Sequence, residues 1–153
     1  MRIPAIRRLQ ADDGSALIEF TLVAVMFIIV LAGVVEMGRM VLVYTTMANA
    51  ARAGARYAIV HGGDRTGSGV DGPSGPGSPC TCTQIETVVK NFASAGLLNT
   101  ANLTVTVNYP NGSNAAGKRV TVTVSYPYDP IVPYFSTILN KTMGSTSEGI
   151  ITF

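Results

Sequence analysis

From Phe20 to Val35 the chain reads Phe-Thr-Leu-Val-Ala-Val-Met-Phe-Ile-Ile-Val-Leu-Ala-Gly-Val-Val, with no charge and no proline. With Ala16, Leu17 and Ile18 ahead of it, the stretch approaches the about 20 residues that a helix needs to cross a bilayer. Hydrocarbon offers no partner to a free backbone N–H or C=O, so a segment that spans it must be helical. A cleaved secretory signal has a shorter apolar region, about 7–15 residues, closed by a small-residue cleavage site. Here the run is longer, and apolar helical spacing carries on past it, so a retained span is expected. Arg2, Arg7 and Arg8 precede the span, and basic ends of this kind stay in the cytoplasm. Everything after Val35 is then expected on the exported side. Arg39 opposes that direction weakly, because Glu36, three residues earlier, shares its helix face.

Composition narrows what such a chain does. Charged residues make up 13% of it, about half the usual share of a soluble domain. With 47% hydrophobic residues, the chain is also too apolar to be disordered throughout. A net charge of +2 without a basic stripe gives nucleic acid nothing to bind, and no nucleic-acid partner is expected. There is no Trp and one His, and no nucleophile elbow, His-Glu-x-x-His site, Walker loop or dinucleotide fingerprint appears. Asp64 and Asp71 do not form a calcium-loop pattern, and His61 has no second His or nearby nucleophile. No catalytic residue, cofactor or metal is expected; His61 reads as a helix-end residue.

Past the membrane run, Met37, Val41, Tyr44, Ala48, Ala51, Ala55 and Ala58 keep three- and four-residue spacing, which predicts a helix with one buried stripe. Nothing punctuates the join, so a single helix is expected from about Ala16 to Ile59, about 65 Å long. Ala50, Gly54 and Ala58 recur every fourth residue. Such a face suits close approach of another backbone, and the chain's own sheet is the expected neighbour. Arg52 and Arg56, also four apart, read as a solvated face.

Gly62 to Pro79 is dominated by Gly, Pro and Ser, a composition expected to form a flexible, exposed loop. Thr83-Gln84-Ile85-Glu86 has the form of a capping box. It opens a second helix with Ile85, Val88, Val89, Phe92 and Ala93 on one face and Gly96 as its stop. Alternation from Leu103 to Tyr109 and again from Val120 to Tyr126 predicts two strands in an antiparallel hairpin. Pro127, Pro130 and Pro133 are expected to end the second strand, before a short helical piece near Tyr134 to Leu139 and a last strand from about Ser147 to Phe153. The fold class is α+β: a long N-terminal transmembrane helix continuing into a small head with a second helix and a roughly three-stranded antiparallel sheet. Cys80 and Cys82 supply too few thiolates for a structural zinc. In an oxidising exported space they are expected to pair, with each other first and between subunits second.

Gly14-Ser15-Ala16-Leu17-Ile18-Glu19-Phe20 places a Gly five residues before a Glu, an aromatic residue after it, and then the apolar run. This order resembles the prepilin leader of type IV pilins. More narrowly, the chain resembles the TadE-like family of pilin-like proteins, through Glu36-Met37-Gly38-Arg39, Asn49-Ala50-Ala51-Arg52 and Gly54-Ala55-Arg56-Tyr57-Ala58. Val25 and its neighbours lack the Pro that many relatives carry in this region, so an unbent helix is expected.

The resemblance implies cleavage between Gly14 and Ser15 by a prepilin peptidase, which leaves Ser15 as the new amino terminus. It implies an assembly role for the Glu19 carboxylate, which a neighbour's terminal ammonium would neutralise, and it makes Phe20, Glu36, Arg39, Arg52 and Arg56 candidate subunit contacts. The implied organisation is a leader (1–14), a membrane part (15–36), an exported part of the same helix (37–60), the Gly/Pro/Ser-rich loop (61–82) and the head (83–153). The expected partners are the peptidase, other pilin-like subunits, inner-membrane pilus assembly proteins and the lipid bilayer. The expected place is the bacterial inner membrane, single pass, with the N-terminus cytoplasmic, or the cell surface within a pilus. The expected function is that of a structural subunit of a Tad-type pilus used for attachment or surface colonisation. The alternative is a permanently anchored, exported binding module that never polymerises.

Overall fold

The computed structural model describes residues 9–67, 74–76, 82–96, 98–132, 136 and 141–152. They fall into two units, Met1–Gly38 and Arg39–Phe153. Helix α1 runs unbroken from Leu9 to Val60, 52 residues or about 78 Å. It starts upstream of the expected Ala16.

In the first unit, α1 is uncharged from Phe20 to Val35 and its large apolar side chains are uncovered: Leu17, Phe20, Val25, Phe27 and Ile29 are all exposed. Its most apolar window has a mean hydropathy of 2.7 and none of it is buried. A helix apolar all round is stable only against an apolar surrounding.

The second unit holds the rest of α1, helix α2 (Thr83–Ala95), a 3-10 turn (Thr100–Asn102), and strands β1 (Thr104–Asn108), β2 (Arg119–Tyr128) and β3 (Lys141–Ile150). The sheet order is β1-β2-β3, antiparallel throughout. β2 buries Val120, Val122 and Val124 on one face, as its alternation requires. Met47, Ala50, Ala51, Ala55 and Ala58 of α1 and Ile85, Val89 and Ala93 of α2 complete the core.

The stripe of small residues on α1 packs inside this unit, as expected. Gly54 lies where α1, α2 and β2 meet: a Cβ there would stand 2.5 Å from Val89 Cγ2 and 3.2 Å from Val122 Cγ1. Helix and strand are matched in length. Arg39 to Ile59 covers about 30 Å of helix and β2 covers about 30 Å of strand. At one end the Arg39 guanidinium donates to the Asp129 carbonyl at 2.8 Å; at the other the Thr152 amide donates to the Ile59 carbonyl at 3.0 Å.

Several expectations are corrected. Thr83 is the first residue of α2, and Cys82 takes the N-cap position with no side-chain cap, so there is no capping box. The Glu86 carboxylate instead sits 3.5 Å from the Lys90 ammonium one turn on. Gly96 does end α2, but at φ −87° it needs no special backbone freedom; a side chain there would run into Thr46 on α1.

β2 continues through Pro127 to Tyr128, because its pairing with β1 ends at Thr104–Ser125 and β3 alone accompanies it further. Proline is tolerated where a strand is locally an edge. β3 covers Lys141–Ile150 instead of starting at about Ser147. Its inward positions include Ser145, Ser147 and Gly149 opposite the valines of β2, and Gly149 is small because Ile59 of α1 lies over it. The short helical piece near Tyr134 to Leu139 lies outside the described residues apart from Ser136.

The Gly/Pro/Ser-rich loop is tied down at Ser74. Ser74 is fully buried. Its amide and hydroxyl both donate to the His61 carbonyl, at 2.8 and 3.0 Å. Its own carbonyl accepts from the Tyr109 hydroxyl at 3.0 Å and the Asn114 side-chain amide at 3.2 Å. His61 is a helix-end residue, as expected, stacked on Tyr57 with its Nδ1 2.8 Å from the Tyr57 carbonyl.

Burial raises the Tyr109 phenol above 10.0. A group whose folded value is raised stabilises fully below its unfolded value and less as pH rises past it. The head is therefore expected to keep its full stability up to about pH 10 and to lose it above, in an alkaline titration followed by near-ultraviolet circular dichroism. Tyr109→Phe is expected to flatten that loss and to cost about 1 kcal/mol at neutral pH through the hydrogen bond it removes.

Candidate functional site

The residues singled out on the N-terminal part of α1 share one property: exposure. Gly14, Ser15, Glu19 and Phe20 are all on the surface of the helix. Ser15 and Glu19 are four residues apart, so they lie one above the other on one face. Thr21 hides its hydroxyl by donating to the Leu17 carbonyl at 2.7 Å, a local bond that suits a polar group in an apolar run.

Further along α1 the candidates separate by role. Glu36 is almost fully buried. Arg39 is half-buried, donates to the Asp129 carbonyl and lies over the Tyr128 ring, 5.0 Å from its centroid. A guanidinium held this way is part of the architecture of the second unit. Arg52 and Arg56 are exposed, as expected of a solvated face. Arg52 donates to the Asn49 side chain at 3.1 Å. Cys82 is disulfide-bonded, and Cys80 lies outside the described residues. Among the described residues no group of three or more His, Cys, Asp or Glu is placed to hold a metal ion.

The structure adds two groupings that the sequence reading missed. One is Arg39 with Tyr128 and Asp129. The equal reach of the helix from Arg39 and of the long second strand could have signalled it. The other is His61, Ser74, Tyr109 and Asn114; a single Ser inside a low-complexity stretch gives no sign that it will be buried.

Among the described residues one helix is long and apolar enough to cross a membrane, and it leads into a small α+β unit; the class these define is an α+β head behind a candidate membrane anchor. Residues 14–56 match the family model described as TadE-like protein, the family that the ordered motifs of this segment resemble. The match runs along α1 from Gly14 to Arg56 and ends before α2 and the sheet. No curated protein and no solved structure matches the chain.

Proposed function

We propose that this chain is a pilin-like structural subunit, cut from its leader by a prepilin peptidase and built into a Tad-type pilus for attachment or surface colonisation. It catalyses no reaction. The observation that carries the reading is the uncovered apolar helix whose matched segment begins at Gly14 and holds Glu19 on an exposed face.

A carboxylate within hydrocarbon costs about 2.5–3.5 kcal/mol at a helix centre, and an opposite charge from another copy offsets that cost. Ser15 precedes Glu19 by about 6 Å along the axis. A neighbouring subunit displaced by that amount brings its new terminal ammonium level with this carboxylate. The registry of the filament then follows from one charge pair.

Glu19→Ala is the test. The variant is expected to insert in the membrane as the parent does and to yield few or no pili, counted by electron microscopy of sheared filaments. Normal piliation would remove the charge pair from the account.

A second reading has one observation in its favour. Helix α1 runs straight through the Gly14–Ser15 junction, and a helical peptide bond must unwind before a peptidase can grip it. On that reading the chain stays whole as a permanently anchored, exported module, and its amino terminus remains Met1.

A further inference from the structure

The sheet of the head has two edges, β1 on one side of β2 and β3 on the other. Among the described residues, Thr104–Asn108 and Lys141–Ile150 make their backbone hydrogen bonds to β2 alone. Each edge therefore turns a row of N–H and C=O groups outward, and the group complementary to such a row is an extended strand of polypeptide. Folded proteins usually blunt an edge with a proline, a charge, a bulge or a short strand. β1 is short, at five residues. β3 has ten, with no proline and no charge from Thr142 to Ser147. Its register with β2 runs from Lys141 to Ile150 without a bulge.

The geometry points to a contact between copies of this chain in which the β1 edge of one adds, in parallel, to the β3 edge of the next. Both strands are antiparallel to β2, so they run in one direction. A copy moved sideways without turning presents its β1 to this β3. The side chains agree. On the outer face Thr104 and Thr106 of one copy meet Thr142, Gly144 or Thr146 of the other, and hydroxyl pairs across strands are favourable; Thr123 and Thr146 already make one at 3.0 Å. On the inner face β3 offers Ser145, Ser147 and Gly149, so the incoming Val105 and Val107 meet no bulk. β1 carries no charge, and no like charges are opposed. The contact is heterologous, so the second copy's own β3 stays open to a third copy. Joining β3 to β3 would close a pair and leave both β1 edges bare. One parallel pair makes the joined sheet mixed, as many large sheets are.

The inference rests on the filament reading for one thing, closeness. A five-residue pairing is too small by itself for an interface of about 1,000 Å², the size a stable complex needs, so other contacts must hold the copies together. Thiols in the producing cells test it. Thr106 and Thr146 both pair with Thr123, from opposite sides, so their Cα atoms stand about 10 Å apart. A disulfide spans at most about 7 Å, and these positions cannot be bridged within one chain. Full-length Thr146→Cys is combined in turn with Thr104→Cys, Thr106→Cys and Asn108→Cys, which samples the registers on one face. The parent and each single variant run alongside. After mild oxidation the chain is read on a gel without reductant, and its amino terminus is read by mass in the same sample.

At least one double variant is expected to give a ladder of two, three and more copies that reductant collapses, with the parent and every single variant monomeric. A dimer and nothing larger from a single variant would show one edge against its own copy and overturn the proposal. The absence of a ladder from every double variant, in a chain that begins at Ser15, would overturn the edge contact and leave the pilin-like reading standing. No ladder and an amino terminus at Met1 would overturn both. A ladder from an uncut chain would support the contact and remove the leader cut from the account.

Discussion

Gly54→Leu is expected to remove more than about 3 kcal/mol of stability from the head, at or beyond the upper end of ordinary overpacking. Even the first atom of a side chain at this position would stand 2.5 Å from a Val89 methyl, with Val122 and Ile85 close behind. These neighbours are fully buried, and a close-packed interior cannot yield by that much without moving an element. Gly54→Ala sets two effects against each other. It gains the about 1 kcal/mol that glycine loses to alanine in a helix and pays overpacking of about 1–3 kcal/mol, so a small net loss is expected. Gly38, with nothing within 4 Å of a Cβ, is the control, and Gly38→Ala is expected to leave stability unchanged or slightly higher. Denaturant titration of the detergent-solubilised full chain, read by tyrosine near-ultraviolet circular dichroism, ranks the three. Equal midpoints for Gly54→Leu and the parent would mean that α1 does not pack on α2 and β2 at this point.

The second large effect is expected at Arg39. Arg39→Ala removes a charge-assisted hydrogen bond, worth about 1.5–3 kcal/mol, and a cation–π contact worth about 0.5–1 kcal/mol at a partly exposed site. A total of about 2–4 kcal/mol is expected, with the damage at the Tyr128 end of β2. Hydrogen exchange should show it there, as faster opening of the β2–β3 pairs near Tyr126–Met143 and Tyr128–Lys141, while pairs near Val120–Gly149 keep their protection. Arg39→Lys keeps the charge and loses the planar fork and the ring contact, and should fall between the two. Uniform loss of protection along β2 would contradict a local clasp.

How much was legible in the residues follows from which forces act locally. The long helix was readable because an uncharged run and a three-and-four spacing both lie within one stretch of chain. The hairpin was readable because Val105 and Val107, then Val120, Val122 and Val124, alternate with polar residues. β3 was readable only in part. Its residues Lys141 to Ile150 include Gly144, Gly149 and three Ser or Thr in a row, and the reason Gly149 is small is Ile59, ninety residues earlier. The burial of Ser74 was illegible for the same cause: its partners His61, Tyr109 and Asn114 come from distant parts of the chain. Thr83 shows the limit of short motifs, since the box pattern is present and the helix starts one residue earlier than the motif requires. Of the candidate site, the residues from Gly14 to Phe20 could be named from order and spacing alone. That Arg39 faces the head, and that Glu36 is buried, required the tertiary fold.

The central claim is that the polypeptide made in the cell is a precursor whose apolar helix becomes a filament component once its first fourteen residues are gone. Intact-mass and amino-terminal sequencing of the protein, purified from cells with and without a prepilin peptidase, tests it most directly. A chain beginning at Ser15 in the first cells and at Met1 in the second is the predicted result. An identical, uncut product from both would contradict it.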